Sequence, residues 1–146
     1  MEVKLGVGIG ELRFGIELSE AEDLLGSFDE HKIDGDDNNR LVYVFNEKKI
    51  RLTFYKSEKN RLGYIETSNP SVSFKGIQIL EKNIEFIKKE VLGEHIKDWI
   101  IDEYFSFKSH FNDEFYFSLH EEYRKVTNIE LGVPFKDDEE YNWPKL

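Results

Sequence analysis

Cysteine is absent from this sequence of 146 residues. Its absence excludes disulfide bridges, metal sites built from thiolates and cysteine nucleophiles at the same time. A chain without cysteine fits the reducing conditions of the cytoplasm, so a cytoplasmic location is the expectation.

Long apolar stretches are also missing. Charged residues interrupt the first segment, MEVKLGVGIGELRF, which contains no run long enough for a signal peptide. No other segment approaches the roughly 20 apolar residues of a membrane-spanning helix. The length suffices for one compact domain with a sizeable core, and we expect residues 1–146 to form a single domain.

Basic residues are fewer than acidic ones: 20 Lys plus Arg stand against 30 Asp plus Glu, a net charge of −10. Nucleic acids and anionic membranes attract clustered Lys and Arg, so neither is expected as a partner. A cationic protein is compatible with this charge. Solubility alone also accounts for an acidic surface, and the composition leaves both interpretations open.

Sequence motifs for catalysis and cofactor binding are absent as well. The glycines at positions 6, 8 and 10 depart from the dinucleotide fingerprint because the third comes one position early and no helix start follows. We interpret them as part of a strand that another backbone approaches closely. There is no G-x-S-x-G sequence. The four histidines are His31, His95, His110 and His120. No two of them have the spacing at which one helix presents two metal ligands on the same face. No metal or cofactor is expected.

Aromatic residues are plentiful, and 12 Phe, 7 Tyr and 2 Trp favour strands. Every second residue of IRLTFY (50–55) is apolar, which predicts a half-buried strand with one apolar and one polar face. The polar face of such a sheet would expose Arg51, Thr53, Tyr55, Tyr116 and Ser118.

Residues 50–66 have a second copy at 115–130. IRLTFYKSEKNRLGYIE aligns with FYFSLHEEYRKVTNIE after one small gap, which brings Glu66 onto Glu130. A repeat of this size predicts two similar blocks that share one sheet or core. Two carboxyl groups can act as general acid and base when one of them is desolvated. A structural role at the end of a strand face is the alternative for this pair.

Two segments carry helical signals. Ser19 followed by Glu22 forms a capping box, and Gly26 is expected to end a short helix over residues 19–25. A second stripe has spacings of three and four and ends at Gly93, which predicts an amphipathic helix packed on the sheet. Its apolar positions are Ile77, Leu80, Ile84, Ile87 and Val91.

Two acidic segments, residues 34–37 and 137–140, suggest a recognition surface, and the second runs into an aromatic tail. The charges would steer a basic partner and the aromatic side chains would anchor it. A tail that packs back onto the body through Trp143 is the alternative. The partner-binding candidates are Asp34, Asp36, Asp37, Tyr55, Tyr116, Asp137, Asp138, Glu139, Glu140, Tyr141 and Trp143.

The segment LRFGIELSEAEDLLG (12–26) resembles the start of several immunity proteins of bacterial toxin systems. It is also similar to the repeated unit of β-lactamase-inhibitor-like domains and of outer-membrane assembly lipoprotein domains. The chain departs from their secreted and lipid-anchored members because it has no export signal and no cysteine. The resemblance implies a cytosolic binding protein without catalytic residues.

Together these features predict an α+β fold of two tandem repeats, each with one helix and three or four antiparallel strands, the helices packed on one face of the sheet. The repeats would cover about residues 10–70 and 71–135, followed by a C-terminal tail at 136–146. The expected function is that of an immunity protein, not an enzyme, whose acidic surface neutralises a cationic, nuclease-like toxin. The alternative is a small-ligand-binding or hydrolytic domain that uses the concave sheet face and the pair Glu66 and Glu130.

Overall fold

The computed structural model describes residues 1–34 and 39–145. Its strands are β1 (Val3–Lys4), β2 (Gly8–Ile9), β3 (Leu12–Arg13), β4 (Glu30–Ile33), β5 (Arg40–Phe45), β6 (Ile50–Tyr55), β7 (Arg61–Thr67), β8 (Ser73–Phe74), β9 (Ile77–Gln78), β10 (Ile100–Glu103), β11 (Lys108–Asn112), β12 (Phe117–Glu122) and β13 (Lys125–Gly132). Its helices are α1 (Leu18–Leu25) and α2 (Ile84–Phe86), with a π-helical turn at Ile87–Val91 and a 3₁₀ turn at Lys56–Glu58. In the described part of the chain, no helix has the length and apolar character needed to cross a membrane.

An eight-stranded antiparallel sheet organises the molecule. Strands β4 to β7 follow one another as a meander, and β10 to β13 form a second meander. The two meanders join where β7 pairs with β13, which gives the order β10-β11-β12-β13-β7-β6-β5-β4. Two smaller sheets, β1-β2-β3 and β8-β9, lie outside this one. The last strand of each meander therefore lies at the centre of the large sheet.

The hydrophobic core lies against one face of the large sheet. Leu52 of β6 is opposite Ile65 of β7, and both side chains are fully buried. They belong to one cluster that also contains Phe14, Ile87 and Phe117. The apolar face is therefore packed against the N-terminal strands and the helical turns, while the other face is left for polar residues.

The predicted architecture of two helix-plus-sheet repeats is wrong. Strands make up 43% of the chain and helices 13%, so the protein is mostly β and its short helices do not form a layer on the sheet. In α1, for example, Ala21 is the one side chain that is fully buried. A helix that buries so little apolar surface cannot cover a sheet by itself.

The helix predicted over residues 77–91 is the main cause of the error. Ile77 pairs with Phe74 in the β8-β9 hairpin and is 41% exposed. Helical structure begins only after Asn83, whose side chain accepts hydrogen bonds from the amides of Glu85 and Phe86. The apolar spacing of three and four therefore spans a hairpin strand, an extended segment and one short helix.

The first helix agrees better with its prediction. It occupies Leu18–Leu25, and Gly26 ends it with a φ of 88°. Glu17, not Ser19, is the capping residue. Its side chain accepts a hydrogen bond from the backbone amide of Glu20, and the side chain of Glu20 accepts one from the backbone amide of Glu17. The capping box therefore lies two residues earlier than the sequence indicated.

Candidate functional site

The second face of the large sheet is polar at its centre. Arg51 and Thr53 of β6 lie opposite Glu66 and Tyr64 of β7. Glu66 also lies opposite Glu130 of β13, across the junction of the two meanders. The alternation of β6 is the one that the sequence predicted, since its apolar residues face the core. The centre of the polar face therefore contains two glutamates on adjacent strands.

These two glutamates form a carboxyl pair on adjacent strands, close enough for each to shift the pKa of the other. Tyr64 Oη donates to Glu130 Oε1 at 2.8 Å, and His120 Nε2 contacts the other oxygen of Glu130. On the opposite side, Arg51 Nη1 lies 4.0 Å from Glu66 Oε2. Two adjacent and partly buried carboxyl groups repel each other when both are ionised, so one of them favours its neutral form.

The proton belongs to Glu66. Burial and the adjacent Glu130 raise the pKa of Glu66 to about 7, against the lowering effect of Arg51 and His120. Burial also acts to raise the pKa of Glu130, but hydrogen bonds from His120 and Tyr64 bring that pKa below its usual value. Burial and Glu130 raise the pKa of Tyr64, which keeps its hydroxyl a neutral donor. Near neutral pH the pair thus consists of an ionised Glu130 and a Glu66 that is partly protonated.

Three tyrosine rings lie over the central strands because two positions there are glycine. A Cβ atom on Gly63 would lie 2.3 Å from the ring of Tyr55. A Cβ atom on Gly132 would lie 2.5 Å from the ring of Tyr116 and 2.8 Å from that of Tyr64. These distances are far below van der Waals contact, so any larger residue would displace the rings.

A cleft of about 470 Å³ opens beside the carboxyl pair, and we call it the central cleft. Cationic groups, two carboxyl groups and tyrosine rings line it together. The lining side chains are Lys32, Ile33, Asp34, Arg40, Val42, Arg51, Thr53, Tyr55, Tyr64, Glu66 and Tyr116.

The aromatic tail packs on the outer end of this face. The rings of Tyr141 and Trp143 lie 5.3 and 6.2 Å from that of Tyr55. The Arg61 guanidinium stacks 3.9 Å above the Trp143 ring, and Trp143 Nε1 donates to Glu58 Oε1 at 3.3 Å. Trp143 therefore packs back onto the body, as one of the two sequence interpretations required.

Arg40 connects this tail with the first acidic segment. Its guanidinium lies 3.6 Å from the centre of the Tyr55 ring and donates to Tyr141 Oη at 3.0 Å. Its carbonyl oxygen accepts a hydrogen bond from the amide of Asp34 at 2.9 Å. Asp34 and the aromatic tail therefore lie at the same end of the polar face.

The second acidic segment forms a small hairpin. Phe135 pairs with Tyr141, and the amide of Lys136 donates to the carbonyl of Glu140. Asp137 Oδ1 accepts hydrogen bonds from the amides of Glu139 and Glu140, both at 2.9 Å. All residues from 136 to 140 are exposed, and we call this turn the acidic hairpin. It is a fixed acidic surface, because its own backbone and the packed tail hold it.

The predicted partner-binding residues divide into two groups. Those that the structure leaves exposed are Asp34, Asp137, Asp138, Glu139 and Glu140. The aromatic candidates are engaged within the protein: Tyr55 is 4% exposed, and Tyr116, Tyr141 and Trp143 are partly buried. Asp36 and Asp37 lie outside the described residues.

Sequence reasoning missed four residues of this face, Tyr64, His120, Arg40 and Arg61. Tyr64 could have been found, because it lies two residues before Glu66 and a strand places such residues on one face. The other three come close to the site through strand pairing or tail packing, for which the sequence gives no local signal.

A second polar group lies on the core side, below the π-helical turn. His110 Nε2 lies 2.7 Å from Glu121 Oε1, and Lys88 Nζ lies 3.0 Å from His110 Nδ1. Burial lowers the pKa of His110, so a neutral ring donates to Glu121 and accepts from Lys88. These hydrogen bonds connect the π-helical turn to β11 and β12. Across residues 1–34 and 39–145, no group of three or more His, Asp or Glu side chains could hold a metal ion.

No protein-family profile and no curated protein matches the chain. Two solved structures align with it. An extracellular protein containing an SCP domain, from Bacillus anthracis str. Ames, aligns with a TM-score of 0.51 at 9% identity over 86% of this chain and 44% of its own. A DUF4309 family protein (YjgB) from Bacillus subtilis subsp. subtilis str. 168 has a TM-score of 0.47, 14% identity and coverage of 87% and 82%. The chain thus spans less than half of the first structure, and the likeness is one of fold alone.

Proposed function

We propose that this protein is a non-catalytic binding protein that acts as an immunity protein and neutralises a cationic, nuclease-like toxin. The acidic hairpin is the observation that carries the proposal, because it presents consecutive exposed carboxylates on a fixed turn. The net charge of −10 and the resemblance of residues 12–26 to immunity proteins support it as well.

The fixed conformation of the acidic hairpin favours tight binding. Ordering a loose segment upon association costs free energy, and a segment that is already held avoids that cost. The ring centroids of Phe135 and Tyr141 lie 4.9 Å apart in a stacked arrangement at the base of the turn, and the Arg61 guanidinium stacks on the Trp143 ring. The charge of the whole chain would speed the encounter with a basic partner.

A nuclease binds the phosphates of its substrate through clustered basic residues. The carboxylates of the acidic hairpin would occupy that cluster in place of phosphate, and Asp34 would extend the contact at the same end of the sheet face. Inhibition by this mode requires no reaction centre in the immunity protein.

The test measures binding of this protein to the products of the genes adjacent to its own. The variant D138N/E139Q/E140Q removes three charges and keeps Asp137, which holds the turn. We expect roughly tenfold or greater loss of affinity, mainly through slower association, and loss of protection.

A matched control, E90Q/E94Q/E114Q, removes three exposed charges elsewhere. It should bind nearly as well as the wild type, and salt should weaken wild-type binding more than that of the hairpin variant. If both triple variants lost the same affinity, net charge alone would account for the loss, and the assignment of the acidic hairpin as the binding surface would be overturned. No binding to the neighbouring gene product would overturn the proposal itself.

A further inference from the structure

We propose that the central cleft binds a small aromatic carboxylate, whose ring lies among the tyrosines and whose carboxylate lies against Arg51 and Glu66. This site is separate from the acidic hairpin, and it does not depend on the existence of a toxin. Geometry, charge and the shape of the cleft each support it.

The cleft collects positive charge within an acidic protein. Lys32, Arg40 and Arg51 all line it, although the chain has only 20 basic residues among 146. Arg40 is engaged with the ring of Tyr55 and the hydroxyl of Tyr141. Among the residues that the structure describes, Arg51 has one ion-pair contact, at 4.0 Å to Glu66, and its side chain is 47% exposed. Its planar guanidinium therefore has donors to offer a carboxylate, which it can bind through two parallel hydrogen bonds.

The carboxyl pair does not place a second full negative charge beside Arg51 when Glu66 is neutral. Glu66 lies between Arg51 and Glu130 in the strand register. The oxygens of Glu130 are hydrogen-bonded to Tyr64 and His120, which offset its charge. A neutral Glu66 then adds no negative charge beside Arg51, so Arg51 can attract an anionic ligand.

The walls suit a flat ring. The rings of Tyr64 and Tyr116 line the cleft and are partly exposed, and Gly132 leaves the space that these rings occupy. Aromatic rings attract the edges and faces of other rings in stacked or edge-to-face contacts. A volume of about 470 Å³ lies within the roughly 300–1,000 Å³ of small-molecule sites.

Binding of this ligand should be linked to the uptake of a proton. The charged groups that face Glu66 are Arg51 from β6, Glu130 from β13 and His120 from β12, with Tyr64 on its own strand. Lys32, Arg40 and Asp34 lie on the outer wall of the cleft. An ionised Glu66 repels the ligand, and its pKa is about 7. Affinity should therefore be highest below neutral pH and fall as pH rises.

Calorimetric titration with benzoate from pH 5.5 to 8.5 tests the site. The wild type should lose about tenfold in affinity per pH unit once Glu66 is ionised, because one proton is linked to binding. E66Q is neutral at every pH and should bind with a flat profile. R51Q should lose roughly tenfold or more at all pH values.

Three controls separate this effect from weak surface binding. E47Q alters an exposed glutamate away from the cleft and should keep the wild-type pH profile. Benzyl alcohol keeps the ring without the charge and should bind far more weakly than benzoate. Circular dichroism would show that R51Q and E66Q are folded. Failure of benzoate to bind, or an R51Q variant that binds it normally, would overturn this proposal and leave the toxin proposal standing.

Discussion

Glu66 and Glu130 demonstrate how two identical residues acquire different roles on one sheet face. Both are partly buried and lie opposite each other on adjacent strands, yet Glu130 alone receives donors from Tyr64 and His120. Each hydrogen bond to an ionised carboxylate stabilises the charge, so Glu130 keeps its charge and Glu66 takes the proton. The neighbours of each residue, not its position in a motif, decide which form it adopts.

This assignment makes the stability of the protein depend on pH. Because its folded-state pKa is raised to about 7, Glu66 binds a proton more tightly in the folded chain than in the unfolded one. Its stabilising contribution is complete below the usual carboxyl pKa and disappears as pH rises to about 7. The lowered pKa of Glu130 acts in the opposite direction, but only at more acidic pH.

We therefore expect the wild type to lose about 1–2 kcal/mol of unfolding free energy, relative to E66Q, between pH 5 and pH 8. Urea denaturation at both pH values measures this, and the comparison cancels the titration of His110. E47Q should follow the wild type. A loss of equal size in E66Q would contradict the protonation of Glu66.

Gly132 should be intolerant of a methyl group. The new Cβ atom would lie 2.5 Å from the Tyr116 ring, and relieving that contact must shift the ring or the strand. G132A should cost about 1–3 kcal/mol of unfolding free energy. In the double variant G132A/Y116A the clash partner is gone, so the cost of G132A should fall well below its value in the wild type. Additive costs in this cycle would contradict the close approach.

At the scale of elements, the period-two pattern of residues 50–55 correctly predicted strand β6 and the apolar face that it turns to the core. The predicted exposure of its polar face was wrong in part, because Thr53, Tyr55 and Ser118 of β12 are buried and Arg51 is exposed. A shift of one residue would turn all the apolar side chains of such a strand to the other face, so the alternation determines which side chains face the core. The helix predicted from the apolar stripe between Ile77 and Val91 was wrong, because the spacing of apolar residues does not determine which backbone groups form hydrogen bonds. Asn83 supplies a cap in the middle of the stripe, and Ile77 pairs with Phe74 instead of continuing a helix.

The site was predictable to a similar degree. Alignment of the two similar segments placed Glu66 and Glu130 at matching positions, and the structure places them side by side. Which of them is protonated depends on His120 and Tyr64, whose contacts need the strand register. The acidic tail was recognised as a charged surface, but its fixed shape depends on Arg61 and Trp143, which are far apart in sequence.

The C-terminal tail should loosen when its aromatic anchor is removed. W143A deletes the ring that packs on Tyr55 and stacks with Arg61, and we expect a loss of about 2 kcal/mol. Limited trypsin digestion followed by mass spectrometry should detect faster cleavage after Lys136 while the large sheet stays intact. Y123A, which removes an aromatic ring that is 97% exposed, is the control and should leave cleavage unchanged. Equal cleavage in W143A and the wild type would contradict the anchoring role.

At the scale of the whole molecule, the junction of β7 with β13 makes the two meanders one structural unit. The buried side chains of both meanders belong to a single cluster, so neither can lose its packing alone. Ile65 is fully buried in β7 and lies opposite Leu52 on one side and Leu131 on the other. A domain of this size with a shared core is expected to unfold in one cooperative transition.

The two tryptophans allow this cooperativity to be measured, because each reports on a different meander. Trp99 contacts Phe117 of β12, and Trp143 contacts Tyr55 of β6. I65V should lower the unfolding free energy by about 1 kcal/mol, and by the same amount in the W99F and W143F backgrounds, when urea unfolding is followed by fluorescence. I33V, at an exposed residue of the edge strand β4, should shift neither transition. If I65V shifted only the Trp143 transition, the meanders would unfold separately, and contact across the β7-β13 junction would contribute little to stability.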